Sequence, residues 1–221
     1  MSSADVIIDD DPARRAAELL AEQLRRATAQ RGRAAIAVSG GSTPPPMLDA
    51  LGAVDLPWEQ VDVYQVDERV APEGDPERNA NQLADVPGRH HLMPVTADDL
   101  EAAAARYAAE LPERFDVVHL GIGPDGHTAS WPPGDPVIDA TTRVAISGEY
   151  QGCIRMTLTP PVIGAARSRL VLARGTDKAD AIGRWLGGVG DASELPIDRV
   201  PREDTTVVLD PTAAAQLPKS G

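Results

Sequence analysis

The chain has 221 residues, 42% of them apolar but only 3% aromatic, so its core must be filled by Ala, Val, Leu and Ile. A formal net charge of −13 argues against nucleic acid or an anionic membrane as main partner, and any anionic substrate must meet a local cluster of Arg or Lys. The lone Cys153 permits no internal disulfide, and neither a charged-then-apolar opening segment nor a run near ~20 apolar residues is seen, so a soluble, cytoplasmic protein is expected.

The length suits a single α/β domain over residues 1–221. Residues 12–30 carry Ala and Leu at helical spacing between charges, which predicts an opening amphipathic helix. Residues 34–38 predict a short buried strand, and Ser39-Gly40-Gly41-Ser42-Thr43-Pro44 follows at once. A helix is expected from Pro44 to Leu51, with Thr43 as its cap and Pro44 in its first turn. The next strand covers residues 61–66 and ends in Asp67-Glu68-Arg69, while residues 71–78 and 131–136, rich in Pro and charge, read as loops. An Ala-rich helix over 97–111 leads into a strand at 115–120 and then the glycine-rich stretch 121–130. Strands at 155–158, 170–173 and 206–209 then alternate with helices at 160–167 and 176–186. The Ala-rich tail after Pro211 predicts a short helix fraying over 217–221. There is no internal repeat. The alternation predicts a doubly wound, mainly parallel sheet with helices on both faces.

Ligands of such sheets bind beyond the carboxyl ends of the strands, where the chemically suggestive residues of this chain fall. Gly40, Gly41, Ser42 and Thr43 offer unhindered backbone N–H groups, two hydroxyls counting Ser42 and Thr43, and a helix start, which suit an oxyanion such as phosphate. No Lys follows as a Walker loop would require. Gly121-Ile122-Gly123-Pro124-Asp125-Gly126 matches the dinucleotide spacing G-x-G-x-x-G, but Pro132 and Pro133 interrupt the helix that fingerprint needs. The loop instead holds an imidazole, His127, two residues from a carboxylate, Asp125. A histidine can take and return a proton near neutral pH, and a carboxylate can fix its tautomer. Asp125 or Asp67 could serve in that role.

Arg69, Arg155 and Lys178 are the candidate cations. Lys178 stands near a helix start, where a cation opposes the dipole and therefore often answers to a bound anion. His119 alternates within a strand and reads as core or sheet face. His90 and His91 are adjacent and cannot readily share one ion, and neither HExxH nor paired-Cys spacing occurs, so no metal is expected. Cys153 has no neighbouring base and reads as a packing residue, and neither Ser39 nor Ser42 lies in a G-x-S-x-G elbow.

Taken in order, Ser39-Gly40-Gly41-Ser42-Thr43-Pro44, Asp67-Glu68-Arg69, Asn79-Ala80-Asn81-Gln82-Leu83, residues 121–130, Arg155-Met156-Thr157-Leu158-Thr159 and Gly175-Thr176-Asp177-Lys178-Ala179 carry a resemblance. The chain resembles the glucosamine-6-phosphate isomerase/6-phosphogluconolactonase family, and within it the lactonases. The resemblance implies a doubly wound α/β fold shared with the deaminases, and hydrolysis of a small-molecule sugar-phosphate lactone, 6-phosphoglucono-1,5-lactone, without a required cofactor. It implies His127 as general base, Arg69, Arg155 and Lys178 around the phosphate and nearby oxygens, and the loop from Gly40 to Thr43 cradling the sugar phosphate.

The deaminases of the family carry a further acidic residue where this chain has Pro132, and tend to have Tyr where it has Arg69. Both differences favour the lactonases. The chain also departs from the lactonases at Trp131-Pro132-Pro133, at Arg78, and at Gly148-Glu149-Tyr150-Gln151-Gly152, which stands where a Pro-Lys-Pro-Pro-like segment is usual. An amino-sugar phosphate deaminase and a non-catalytic sugar-phosphate sensor are the alternatives. With no coiled-coil pattern, a monomer is expected.

Overall fold

Residues 3–218 are described in the computed structural model. In chain order, β1 (Asp5–Ile8), α1 (Pro12–Arg31), β2 (Ala34–Val38), α2 (Pro45–Gly52), β3 (Val61–Gln65), β4 (Asp67–Arg69), α3 (Ala80–Leu83), β5 (Arg89–His91) and α4 (Leu100–Glu110) form the first half. β6 (Val117–Leu120), β7 (Val144–Tyr150), β8 (Cys153–Leu158), α5 (Pro160–Ala165), β9 (Arg169–Ala173), α6 (Ala179–Gly187) and β10 (Thr205–Leu209) follow.

Seven strands form one parallel sheet in the order β1-β10-β9-β6-β2-β3-β5. From β2 the chain moves outward to β3 and β5, then returns to the other side of β2 and moves outward again through β6, β9 and β10. The direction of winding therefore reverses between β2 and β6, and the crevice opened there is where such sheets take ligands. Alternate residues feed two cores. Ile36, Val38, Val117, Leu170 and Leu172 pack with Leu20, Leu24 and Leu48 of α1 and α2. Ala37, Val118, Leu120 and Val171 pack instead with Tyr107, Ile163 and Trp185 of α4, α5 and α6. Helices thus cover both faces, as the alternation predicts.

The opening helix shows how local sequence sets an element. Ala13, Ala16, Ala17, Leu20, Leu24 and Ala27 fall on one buried stripe. Asp11 accepts from the Arg14 N–H at the N-terminus, Pro12 occupies the first turn, and Gly32 closes the helix at φ 72°.

A second sheet, absent from the sequence-based expectation, contains β4, β8 and β7, all antiparallel. The expected strand through Arg69 is two strands in two sheets. Val66 is the crossing point: its N–H donates to Val38 O in the large sheet at 3.0 Å, and its carbonyl accepts from Leu158 N in the small one at 2.7 Å. β1, β5 and β7 were likewise not anticipated, being short, exposed or interrupted by Gly148 and Glu149. The helix expected at Ala97 begins at Leu100, because Asp99 caps it by accepting from Ala102 N. Thr43 caps nothing: Pro44 is the N-cap of α2, with no side-chain bond. After Pro211 the chain forms turns rather than a helix, and residues 219–221 of the expected frayed end lie outside the described residues.

Candidate active site

A cleft of about 430 Å³ opens at the crevice between the ends of β2 and β6. Gly40, Gly41, Ser42, Thr43, Asp67, Arg69, His127, Arg155 and Lys178 all line it, together with Asn79 and Gln151. Asp125 stands behind His127, in contact with it, and does not line the cleft.

The loop after β6 is built to hold its histidine. Gly123 N donates to His127 O at 2.8 Å and Gly126 N to Gly123 O at 3.0 Å, with Gly126 at φ 82°, so the chain turns tightly around Asp125. A Cβ on Gly123 would overlap the His127 ring. His127 Nδ1 lies 2.6 Å from Asp125 Oδ1. An ionised carboxylate can only accept, so Nδ1 carries the proton and Nε2 is the basic nitrogen. Burial raises the Asp125 pKa, but hydrogen bonds from His127 and Tyr150 outweigh it and hold the carboxyl well below the usual carboxylate range. No helix follows Gly126, in keeping with rejection of the dinucleotide fingerprint.

The small sheet supplies the facing wall. In its register Asp67 pairs with Thr157 and Arg69 with Arg155, so these four share one face. The intervening residues point the other way: Met156 and Leu158 enter the core, and Glu68 is fully buried. Glu68 organises backbone, accepting from the N–H groups of Arg69, Asn79 and Ala80 and from Gln65 Nε2. Asp67 is not the carboxylate in contact with His127; its Oδ2 accepts from Ser130 Oγ at 2.7 Å. Burial raises the Asp67 pKa, partly offset by Ser130 and Arg155. That bond, with Trp131 Nε1 donating to Leu158 O at 2.8 Å, stitches the histidine loop to the small sheet.

The cations differ in how they are held. Arg155 is buried, with Nη2 within 3.5 Å of Tyr150 O and 3.4 Å of Gln151 Oε1, while its Nε has no partner. Arg69 pairs with the exposed Glu77, and Lys178 Nζ lies 2.6 Å from the exposed Asp177. Exposed pairs of this kind contribute roughly 0–1 kcal/mol, so a bound dianion can displace them.

The glycine-rich loop after β2 lies against the rest by close approach. A Cβ on Gly40 would overlap the Asn79 side chain, whose Nδ2 donates to Asp67 O at 3.0 Å. Gly41, at φ 116°, donates its N–H to Gln82 Oε1 at 3.1 Å. Three consecutive prolines, Pro44, Pro45 and Pro46, open α2 and have no N–H. The helix therefore lends its dipole but not its first amides, and on this side of the cleft the backbone donors to an anion are those of residues 40–43, of which Gly41 is shared with Gln82.

Two side chains of the β7–β8 turn were not anticipated. Gln151 lines the cleft, and Tyr150 OH donates to Asp125 Oδ2 at 2.5 Å. Elsewhere His119 is fully buried, neither ring nitrogen has a partner, and desolvation pushes its pKa down to about 3. His90 and His91 diverge, one to Val86 O at 2.7 Å and the other to Asp62 Oδ1 at 3.0 Å. Among the described residues no cluster of three His, Cys, Asp or Glu could hold a metal ion, and no helix is long and apolar enough to cross a membrane.

Residues 9–209 match the family described as glucosamine-6-phosphate isomerases/6-phosphogluconolactonase. The chain is 38% identical to a 6-phosphogluconolactonase of Streptomyces coelicolor, over 93% of this chain and 90% of the relative. It is 33% identical to one from Synechocystis, over 92% of each. The solved 6-phosphogluconolactonase of Shewanella baltica superposes with a TM-score of 0.84 at 24% identity, covering 95% of this chain and 97% of that one, which speaks to the fold. The chain belongs to the glucosamine-6-phosphate isomerase/6-phosphogluconolactonase family.

Proposed function

We propose that this member of the family is a hydrolase that opens 6-phospho-D-glucono-1,5-lactone to 6-phosphogluconate, with His127 as general base and Asp125 as the carboxylate that orients it. The observation that carries the reading is the 2.6 Å pair between His127 Nδ1 and Asp125 Oδ1, set in a cleft that also gathers Arg69, Arg155 and Lys178. The names of the curated relatives agree with it.

In this mechanism His127 Nε2 takes a proton from water as the oxygen attacks the lactone carbonyl carbon. Backbone N–H groups of residues 40–43 or the Arg69 guanidinium stabilise the tetrahedral oxyanion. The bond from that carbon to the ring oxygen then breaks, and the imidazolium returns its proton to the departing oxygen. Asp125 stabilises the imidazolium and keeps Nε2 free of hydrogen in the resting state. Arg155 and Lys178 take the phosphate, drawing it in against a net charge of −13. Asp67 is assigned a supporting part, tying the histidine loop to the small sheet through Ser130. In this reading the active unit is a monomer.

The test is lactone hydrolysis with substrate generated in situ and the spontaneous rate subtracted. Acceleration by wild type that vanishes in His127→Ala is expected. Ammonia release from glucosamine-6-phosphate would replace the reading with a deaminase, and binding without turnover would replace it with a sensor.

A further inference from the structure

The β7–β8 hairpin ends in a turn whose two central residues, Gln151 and Gly152, both sit in the left-handed region at φ 51° and 81°. Tyr150 and Cys153 are paired across it. Below the turn the register slips: Ser147 pairs with Arg155, yet three residues on, Tyr150 pairs with a residue only two back, Cys153. One extra residue on β7 has been absorbed as a bulge, pinned by Gly148 N donating to Asp135 Oδ2 at 2.8 Å.

The bulge changes which way Tyr150 points. Three residues on from Ser147, a regular strand would put it on the opposite face. With the extra residue it shares the face of Arg155, Arg69 and Asp67, the face that lines the cleft. There its hydroxyl donates to Asp125 Oδ2 at 2.5 Å, and its ring meets the His127 ring edge to face, centroids 5.4 Å apart at 64°. The Arg155 guanidinium carbon lies 5.5 Å from the centroid of the tyrosine ring.

We propose that Tyr150 is a positioning residue for the His127–Asp125 pair, holding the second carboxylate oxygen so that the first stays on His127 Nδ1; this rests on the function proposed above. The need is geometric. Asp125 sits on a turn between Pro124 and Gly126, partly exposed, and both of its contacts from His127, Nδ1 at 2.6 Å and the backbone N–H at 3.2 Å, fall on Oδ1, so the carboxylate is held at one oxygen and can still turn about it. The bond from Tyr150 to the other oxygen stops that rotation and keeps the proton on Nδ1. The phenol OH lies 3.3 Å from Nδ1 as well, but its one hydrogen is committed to the shorter contact. Burial, and then the neighbouring Asp125, push the Tyr150 pKa up to about 12, so it remains a donor throughout the neutral range.

Tyr150→Phe keeps the ring and removes the hydroxyl. In the full chain, kcat for the lactone is expected to fall about tenfold with KM within about twofold. The melting temperature is expected to stay within about 2 °C, because the residue sits partly exposed at a hairpin tip. The ¹⁵N ring shifts of His127, assigned by their loss in His127→Ala, report the tautomer without any substrate. Wild type is expected to be the Nδ1–H form at pH 8, and Tyr150→Phe a mixture of both. Unchanged kcat would overturn the proposal, as would a fall in kcat with the tautomer untouched, which would make Tyr150 a substrate contact instead. If wild type did not hydrolyse the lactone, the functional reading would fail, while the tautomer comparison would still decide whether Tyr150 positions His127.

Discussion

In the seven-stranded sheet the groups that line the cleft lie beyond the last paired residue of a strand, whereas in the three-stranded sheet Asp67, Arg69 and Arg155 lie within the strands and only Gln151 comes from a turn. The difference follows from burial. Both faces of the large sheet are covered, so strand side chains such as Val118 and Leu170 are spent on two cores, and only the loops that leave strands such as β2, β6 and β9 can meet a ligand. The small sheet has one core face and one cleft face, so each strand alternates chemistry with packing: Arg155 and Thr157 against Met156 and Leu158. Loops bring backbone amides and the histidine; alternation brings fixed cations.

The largest effect should come from the loop side. His127→Ala is expected to lower kcat by ~10²–10⁴-fold while 6-phosphogluconate affinity in calorimetry changes less than about twofold; equal losses in both would mean that the loop binds rather than reacts. Gly123→Ala, whose Cβ must displace the imidazole, should lower kcat by at least about tenfold. On the cation side, Lys178→Ala and Arg155→Ala should each weaken 6-phosphogluconate binding by about tenfold. If only Lys178→Ala did so, the small sheet would be scaffold alone and the comparison would break.

The buried His119 gives the large sheet a pH signature. Its pKa falls from 6.5 unfolded to about 3 folded, so below pH 6.5 the unfolded chain binds the proton and the folded chain does not. Its part in stability is whole above about pH 6.5 and is lost at about 1.4 kcal/mol per pH unit as pH falls toward 3. His119→Leu should flatten that slope in denaturant titrations at pH 5 and 7; an unchanged slope would assign acid sensitivity elsewhere. Smallest of all, Thr43→Ala should move the melting temperature by about 1 °C or less, because Thr43 does not cap α2.

Much of this was legible in the residues themselves. The stripe of Ala and Leu from Ala13 to Ala27, the run at Ala34–Val38 and the strands ending at Ala173 and Leu209 announce themselves because helix and buried-strand periodicities are local. So does the presence of an imidazole, His127, on a glycine-rich turn within reach of two candidate carboxylates, Asp125 and Asp67. The tertiary structure decided what depends on distant segments. It split the strand at Val66 between two sheets, gave Asp125 rather than Asp67 to the histidine, and used a one-residue bulge to carry Tyr150 onto a carboxylate 25 positions away. A local pattern states which face of a strand or helix a residue takes; which partner it meets there is set by register and crossing, and those are properties of the whole packed chain.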